Sequence, residues 1–306
     1  MKKNLVTAIS TGMLLLLQAC GGCNSEKVNN NKQEVLKTSE KNASVKNLNI
    51  SILLDLSDRI DPEKHPSPSM EYYKRDLGYI ESITQGFEKH LRSKPLNRIN
   101  DQIQVYFEPE PLDPEINNLA KELKMSFSKT NVTKEAILNI TPQFTSVSQK
   151  IYELAIKDKK YIGSDIWGFF KNKVKDYCIR AEHRNILFIL TDGYMYHNDS
   201  KFIEQNRSSY LTSNLIKSSK LNTSTYYELI QKNGYGFVKA NDNLADLEVV
   251  VVGINPAKGN PFEGDVVNAY WTNWLQDMHV KEPVLKPFSA VLPSNLDPII
   301  QKYINN

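Results

Sequence analysis

The segment Ile50-Ser-Ile-Leu-Leu-Asp-Leu-Ser-Asp-Arg59 closes an apolar run with a carboxylate. Asp55 comes first, and Ser57 follows two residues later. In an extended chain, residues two apart share a side. The carboxylate and the hydroxyl therefore leave the strand together. Such a pair either binds something or caps a turn, and the rest of the sequence bears on which.

Two further segments behave like this one. Asn185-Ile-Leu-Phe-Ile-Leu-Thr191 is continuously apolar and runs into Asp192-Gly193, and Leu247-Glu-Val-Val-Val-Val-Gly253 is a third apolar run. Unbroken runs of this length suit central parallel strands covered on both faces. Gln102–Phe107 alternates as a further strand, and Met125–Phe127 and Phe288–Leu292 read as short outer ones. Between them lie helical spacings. Met70, Tyr73, Leu77, Ile80, Ile83, Phe87 and Leu91 mark one amphipathic face, with Pro68 as first helical residue and Ser67 as its cap. Pro114–Leu123, Val147–Ile156, a helix from Asp165 to Cys178, one through Val267, Trp271, Trp274 and Met278, and Leu296–Ile304 complete the set. Alternating strands and helices predict a doubly wound, mostly parallel α/β sheet with helices on both faces, in a single domain over residues 48–306. Ligands of such sheets bind beyond the carboxyl ends of the strands. Asp55, Ser57 and Asp192 fall there. Ser164 opens the helix before the strongest strand and can face the same crevice.

The N-terminal part has a different character. Lys2 and Lys3 precede the apolar stretch Leu5–Leu17, as in a secretory signal. Leu17-Gln-Ala-Cys20 resembles a bacterial lipobox. The resemblance implies a signal peptide over residues 1–19 and a lipid on Cys20, the first mature residue. Residues 20–47 are rich in Asn, Lys, Glu and Ser, and read as a flexible tether. The expected location is the bacterial cell envelope, lipid-anchored. Net charge is +3 over 306 residues, and Lys2 and Lys3 supply two of those charges, so composition gives no case for a nucleic-acid partner. Of three cysteines, Cys178 reads as a small core residue, and no disulfide is expected.

In order and spacing, the site residues resemble the metal-ion-dependent adhesion site of the von Willebrand factor A fold. That family carries Asp-x-Ser-x-Ser after its first strand, a Thr or Ser from a later loop, and Thr-Asp-Gly after the fourth strand. Here Asp55-Leu-Ser57, Ser164 in Gly163-Ser-Asp-Ile, and Asp192 in Thr191-Asp-Gly193 match, over roughly Asn49 to Leu292. The resemblance implies Mg²⁺ or Mn²⁺ held by Asp55, Ser57, Ser164 and Asp192, oxygen ligands that suit a hard cation. It also implies adhesion or complex assembly with a protein partner.

One position departs from the pattern. Arg59 stands where the family has its second Ser, and a guanidinium cannot ligate a cation. Two arrangements are open. Arg59 turns outward and the other four residues hold the metal with added waters, or its guanidinium replaces the metal and pairs with Asp55 or Asp192. Asp58, Asp61 and Asp165 add negative charge nearby, and Asp58 and Asp165 are read as modulating the site.

Other signals are weaker. His197 reads as an exposed loop residue, and Tyr270, Trp271 and Trp274 as a helix face packed on the sheet. Phosphate-binding Gly-rich loops, HExxH and Gly-x-Ser-x-Gly are absent from the sequence. Ser57 replaces the second Asp that an Asp-x-Asp phosphatase needs. The alternative to a binding module is a metal-dependent hydrolase of phosphoesterase type in the same crevice, with Ser57 or a water as nucleophile. The anchor is testable. Cys20→Ser should leave an unprocessed or soluble species where the wild type partitions into detergent, read by phase separation and mass of the mature chain.

Overall fold

In the computed structural model, residues 46–287 and 292–306 are described. The expected signal peptide, Cys20, nearly all of the tether and most of the expected strand Phe288–Leu292 lie outside them.

The strands are β1 (Asn47–Leu54), β2 (Asn100–Phe107), β3 (Lys124–Ser128), β4 (His183–Leu190), β5 (Ile203–Glu204), β6 (Arg207–Ser208), β7 (Gly236–Phe237), β8 (Leu247–Ile254) and β9 (Lys281–Pro287). Six form the main sheet in the order β3-β2-β1-β4-β8-β9. All its neighbours run parallel except the edge strand β3. The three apolar runs are therefore adjacent parallel strands, as the sequence predicts. Their register sets Leu54 beside Leu190 and Leu190 beside Val252, so the three chains leave the sheet side by side.

Helices cover both faces. They are α1 (Tyr72–Arg92), α2 (Pro114–Glu122), α3 (Lys134–Leu138), α4 (Ile140–Asp158), α5 (Ile166–Asn172), α6 (Val174–Cys178), α7 (Ser213–Ser218), α8 (Tyr226–Asn233), α9 (Glu263–Asp277) and α10 (Pro293–Asn305). Strand alternation decides which face each side chain joins. Ile50, Ile52, Ile186, Phe188 and Val250 meet α1, α4 and α10 in one core. Leu53, Leu187, Ile189, Val249 and Val251 meet α5, α6 and α9 in the other. Trp271 and Trp274 belong to that second core, packed as expected, with indole N–H groups donating to the Gly193 and Val238 carbonyls. Cys178 is a buried free thiol.

Two local expectations change. The helix expected from Pro68 starts at Tyr72. The Arg75 guanidinium reaches back from its first turn to the hydroxyls of Ser67 and Ser69 and the Met70 carbonyl, folding 67–70 into a loop. Ser67 thus accepts from an arginine rather than capping. The helix expected over Asp165–Cys178 breaks at Lys173, whose backbone leaves helical geometry while its ammonium pairs with Glu108 at 2.5 Å. A strand that the sequence reading did not expect, Lys281–Pro287, pairs with β8 and shifts register twice against it. The small sheet β5-β6-β7 has two-residue strands, too short for any periodicity to show.

At the amino end of the sheet, fully buried Asp101 gathers donors. They are the Leu48 amide (2.6 Å), the His90 ring (3.0 Å), the Lys94 ammonium (2.6 Å) and the Asn100 amide (3.1 Å). This ties the start of β1 to β2 and to the end of α1. Removing one member of a buried charge pair strands the other. Asp101→Ala should therefore cost roughly 3–5 kcal/mol, measured by urea unfolding, and Asp101→Asn less.

Candidate functional site

The parallel register of β1 and β4 builds the site. The Asp55 amide donates to the Leu190 carbonyl at 3.1 Å, extending the ladder one residue past both strands. Asp55 then lies against Thr191, whose hydroxyl donates to its Oδ2 at 2.7 Å. The other oxygen accepts from the Ser57 amide at 2.9 Å, which turns the chain so that the Ser57 side reaches the crevice. Asp192 leaves β4 beside it, its carbonyl accepting from the Asn255 amide at 2.8 Å and its Oδ1 from the Tyr194 amide at 3.1 Å. Gly193 takes φ near +96°, where a side chain would strain the backbone and strike Val267.

Ser164 arrives from before α5. Its backbone exchanges two hydrogen bonds with Tyr196, at 2.9 and 3.1 Å, so the loop is pinned to the one after β4. Gly163, at φ near +93°, makes this possible, because a Cβ there would collide with the Tyr196 carbonyl. Ser57, Ser164 and Asp192 together line a crevice of about 630 Å³ at the carboxyl ends of the strands. Tyr72, Tyr194 and Asn255 add aromatic and amide walls, and Lys64, His65 and Lys258 stand at the lining too.

Four expected residues sit differently from one another. Asp55 is 2% exposed and lies beneath the crevice rather than in its lining. Arg59 turns inward rather than outward and lies against Asp55, as in the second arrangement, but its closest carboxylate is Asp76. Its Nη2 reaches Asp76 Oδ2 at 2.6 Å and the Leu190 carbonyl at 2.9 Å. Its Nε donates to the Asp55 carbonyl at 3.1 Å and lies 3.5 Å from Asp55 Oδ2. Asp58 lines the crevice but pairs near solvent with Lys64 at 3.3 Å. Asp165 faces away, capping α5 through the Gly168 amide (2.8 Å) and accepting from the Ser200 hydroxyl (2.7 Å). His197, expected to be exposed, is half-buried, 3.9 Å from Asp165.

Asp76 and Thr191 were not legible as site residues. Asp76 carried a signal, since it falls on the apolar face between Tyr73, Leu77 and Ile80. A carboxylate there implies a buried partner. Tyr152 of α4 also donates to it, at 2.9 Å. Glu263, buried at the start of α9, was missed as well. It accepts from the hydroxyls of Tyr194 (2.6 Å) and Ser213, and so fixes one wall of the crevice.

The charges do not balance. Burial acts against the Arg59 charge, but Asp76 and Asp55 more than offset it and keep the guanidinium protonated. Burial also pushes Asp76 up, yet contact with that fixed cation and with Tyr152 opposes the shift, and we take the pair as ionised. Burial, then the Asp55 charge, push Asp192 up to about 7, with Arg59 acting the other way. Asp55, Asp76 and Asp192 thus share one guanidinium.

The donors at the crevice are of the oxygen kind that a hard cation takes. The Ser164 hydroxyl is buried and has no hydrogen-bond partner among the described residues. Ser57 and Asp192 line the same space with oxygens. Among the described residues, no three His, Cys, Asp or Glu side chains form a metal cluster. The crevice offers the hydroxyls of Ser57 and Ser164 and the Asp192 carboxylate instead.

No family model matches the chain, and no curated protein matches it. Among solved structures, the PilB minor pilin from Streptococcus sanguinis aligns at 10% identity and a TM-score of 0.29, over 86% of this chain and 61% of that one. A point mutant of the same pilin aligns at 8% identity and a TM-score of 0.34, over 86% and 62%. The chain therefore spans about three fifths of that protein's length, and a likeness this slight says nothing of function.

The raised Asp192 has a signed consequence. Its folded value lies above the ordinary carboxyl value of about 3.9, so the fold prefers the protonated form. That contribution is complete below the ordinary value and is lost as pH rises through about 7. In chelator, Asp192→Asn, which stays neutral, should gain stability relative to the wild type between about pH 4 and pH 7. Urea melts of both proteins across that range check it.

Proposed function

We propose that this chain is a binding module of the bacterial cell envelope, anchored through Cys20. Its crevice at the strand ends takes a divalent cation, Mg²⁺ or Mn²⁺, and through it a protein partner. Ser57, Ser164 and Asp192 supply the direct ligands in this reading. Asp55 stands behind them, setting Ser57 and Thr191 through its two oxygens. The observation that carries the reading is Ser164, a residue of the crevice lining beside Ser57 and Asp192 whose hydroxyl is buried and unpaired among the described residues. Burying a hydroxyl without a partner costs on the order of 1–3 kcal/mol, a cost that a ligand at that spot would relieve.

Charge supports the same reading. Three carboxylates to one guanidinium leave the strand ends negative, which a dication offsets. The anchor rests on the lipobox resemblance. No helix among the described residues is long and apolar enough to cross a membrane.

Ligands that bind only the folded state raise its stability. Mn²⁺ or Mg²⁺ should raise the melting temperature of the full chain in detergent, followed by tryptophan fluorescence. Asp192→Ala should abolish the shift and Ser164→Ala should reduce it. A wild type that melts identically with metal and with chelator would remove the cation. Turnover of phosphoester substrates only when Mn²⁺ is present would replace the binding module with the hydrolase.

A further inference from the structure

Arg59 poses a problem for any cation at this crevice. It occupies the sequence position of a ligand, carries a permanent charge, and is 4% exposed directly beneath the strand ends. Its charge stands at the site, 3.5 Å from Asp55 Oδ2 and hydrogen-bonded to the Leu190 carbonyl two residues before Asp192. Left alone, it would repel a dication.

Asp76 answers that problem. It comes from α1, outside the loops that form the site. Its carboxylate contacts the guanidinium at 2.6 Å, closer than Asp55 does at 3.5 Å. Tyr152 donates to the same Asp76 oxygen at 2.9 Å and fixes its direction. The pair draws the guanidinium down and leaves Arg59 out of the crevice lining. We propose that Asp76 is a positioning residue for the cation site: it holds Arg59 below the strand ends and cancels its charge, so that a chain lacking the third hydroxyl ligand still binds a divalent ion. This rests on the cation reading above.

The alternative role for Asp76 is structural only, a buried partner that keeps Arg59 from being stranded. The two roles differ in what they do to metal affinity. A structural role lowers the melting temperature without moving the metal concentration at half-maximal shift. A positioning role moves that concentration, because a full unscreened charge within a few ångströms, at an effective dielectric of about 20, changes affinity tenfold or more.

The experiment titrates Mn²⁺ against the melting temperature of the full chain and four variants. D76N leaves Arg59 uncompensated and should raise the half-maximal Mn²⁺ concentration by about tenfold or more. Y152F removes a hydrogen bond but no charge, and should stay within about twofold of the wild type. D76N combined with R59S removes both charges, and should return to the wild-type value or below it. R59S alone leaves Asp76 buried without its cation, where the carboxyl takes up a proton, and should match the double variant. Should D76N fail to fold, R59S against the wild type carries the test: a charge that Asp76 already cancels predicts values within about threefold, and an uncancelled one a tightening of about tenfold or more. A wild-type half-maximal concentration in D76N, or an R59S that binds about tenfold tighter than the wild type, overturns the role of Asp76 and leaves the cation reading standing. A wild type silent to Mn²⁺ overturns both.

Discussion

The ladder between β1 and β4 is the constraint from which the upper end of the molecule follows. Parallel pairing sets Leu54 against Leu190, and the Asp55 amide extends the pairing by one bond. Everything after that is a consequence of reach. Thr191 stands within a hydrogen bond of Asp55, Asp192 leaves next to it, and Arg59 curls back far enough to donate to both the Asp55 and Leu190 carbonyls. A slip of one residue would turn each of these side chains to the opposite face. The buried alternation of the three central strands forbids that slip, because it would also put Ile50, Ile52 and Leu54 on the wrong core.

Arg59 shows how one buried charge organises a neighbourhood. A hydroxyl there would need nothing from the helices. A guanidinium needs a carboxylate, and a buried carboxylate needs its own further donors. Asp76 on α1 supplies the first and Tyr152 on α4 the second. The strand-end loop is thereby tied to two helices on one face of the sheet. On the opposite face, Trp271 of α9 holds the Gly193 carbonyl. The loops that form the crevice are gripped from both layers, which favours a preset geometry over one assembled on binding.

The sheet was legible because its central strands are apolar on both faces, and runs as short as Asn185–Thr191, closed by Asp192-Gly193, suit a buried strand better than a helix. The strand-end carboxylates were legible because strand ends are where apolar runs stop. What escaped has a common physical cause. Two-residue strands carry no period. The break at Lys173 and the loop around Arg75 are set by long side chains reaching residues distant or out of phase, which spacing does not encode. The direction of Arg59 belongs to the same class, for it depends on Asp76 seventeen positions away on another element. Only the odd placement of Asp76 on an apolar face hinted at it.

The two ends of the sheet treat polar groups in opposite ways, and the contrast bears on function. At the amino end, Asp101 is met by two backbone amides, a histidine and a lysine. Asn49 donates to the Asn185 side chain and to the Cys178 carbonyl in the same region. A site with its polar groups so well supplied has little left to offer a ligand. At the carboxyl end, Asp192 receives one backbone amide, and the buried Ser164 hydroxyl receives nothing among the described residues. The same chain that pairs its polar groups closely around Asp101 leaves these open beside 630 Å³ of accessible space. Folding alone gives no reason for that difference, since an unpaired buried hydroxyl and a raised carboxyl at neutral pH both subtract from stability. Thr141, Ser148 and Asn268 carry unpaired buried atoms elsewhere in the fold, so the cost by itself marks no site; what sets Ser164 apart is its place in the crevice lining beside Asp192 and Ser57.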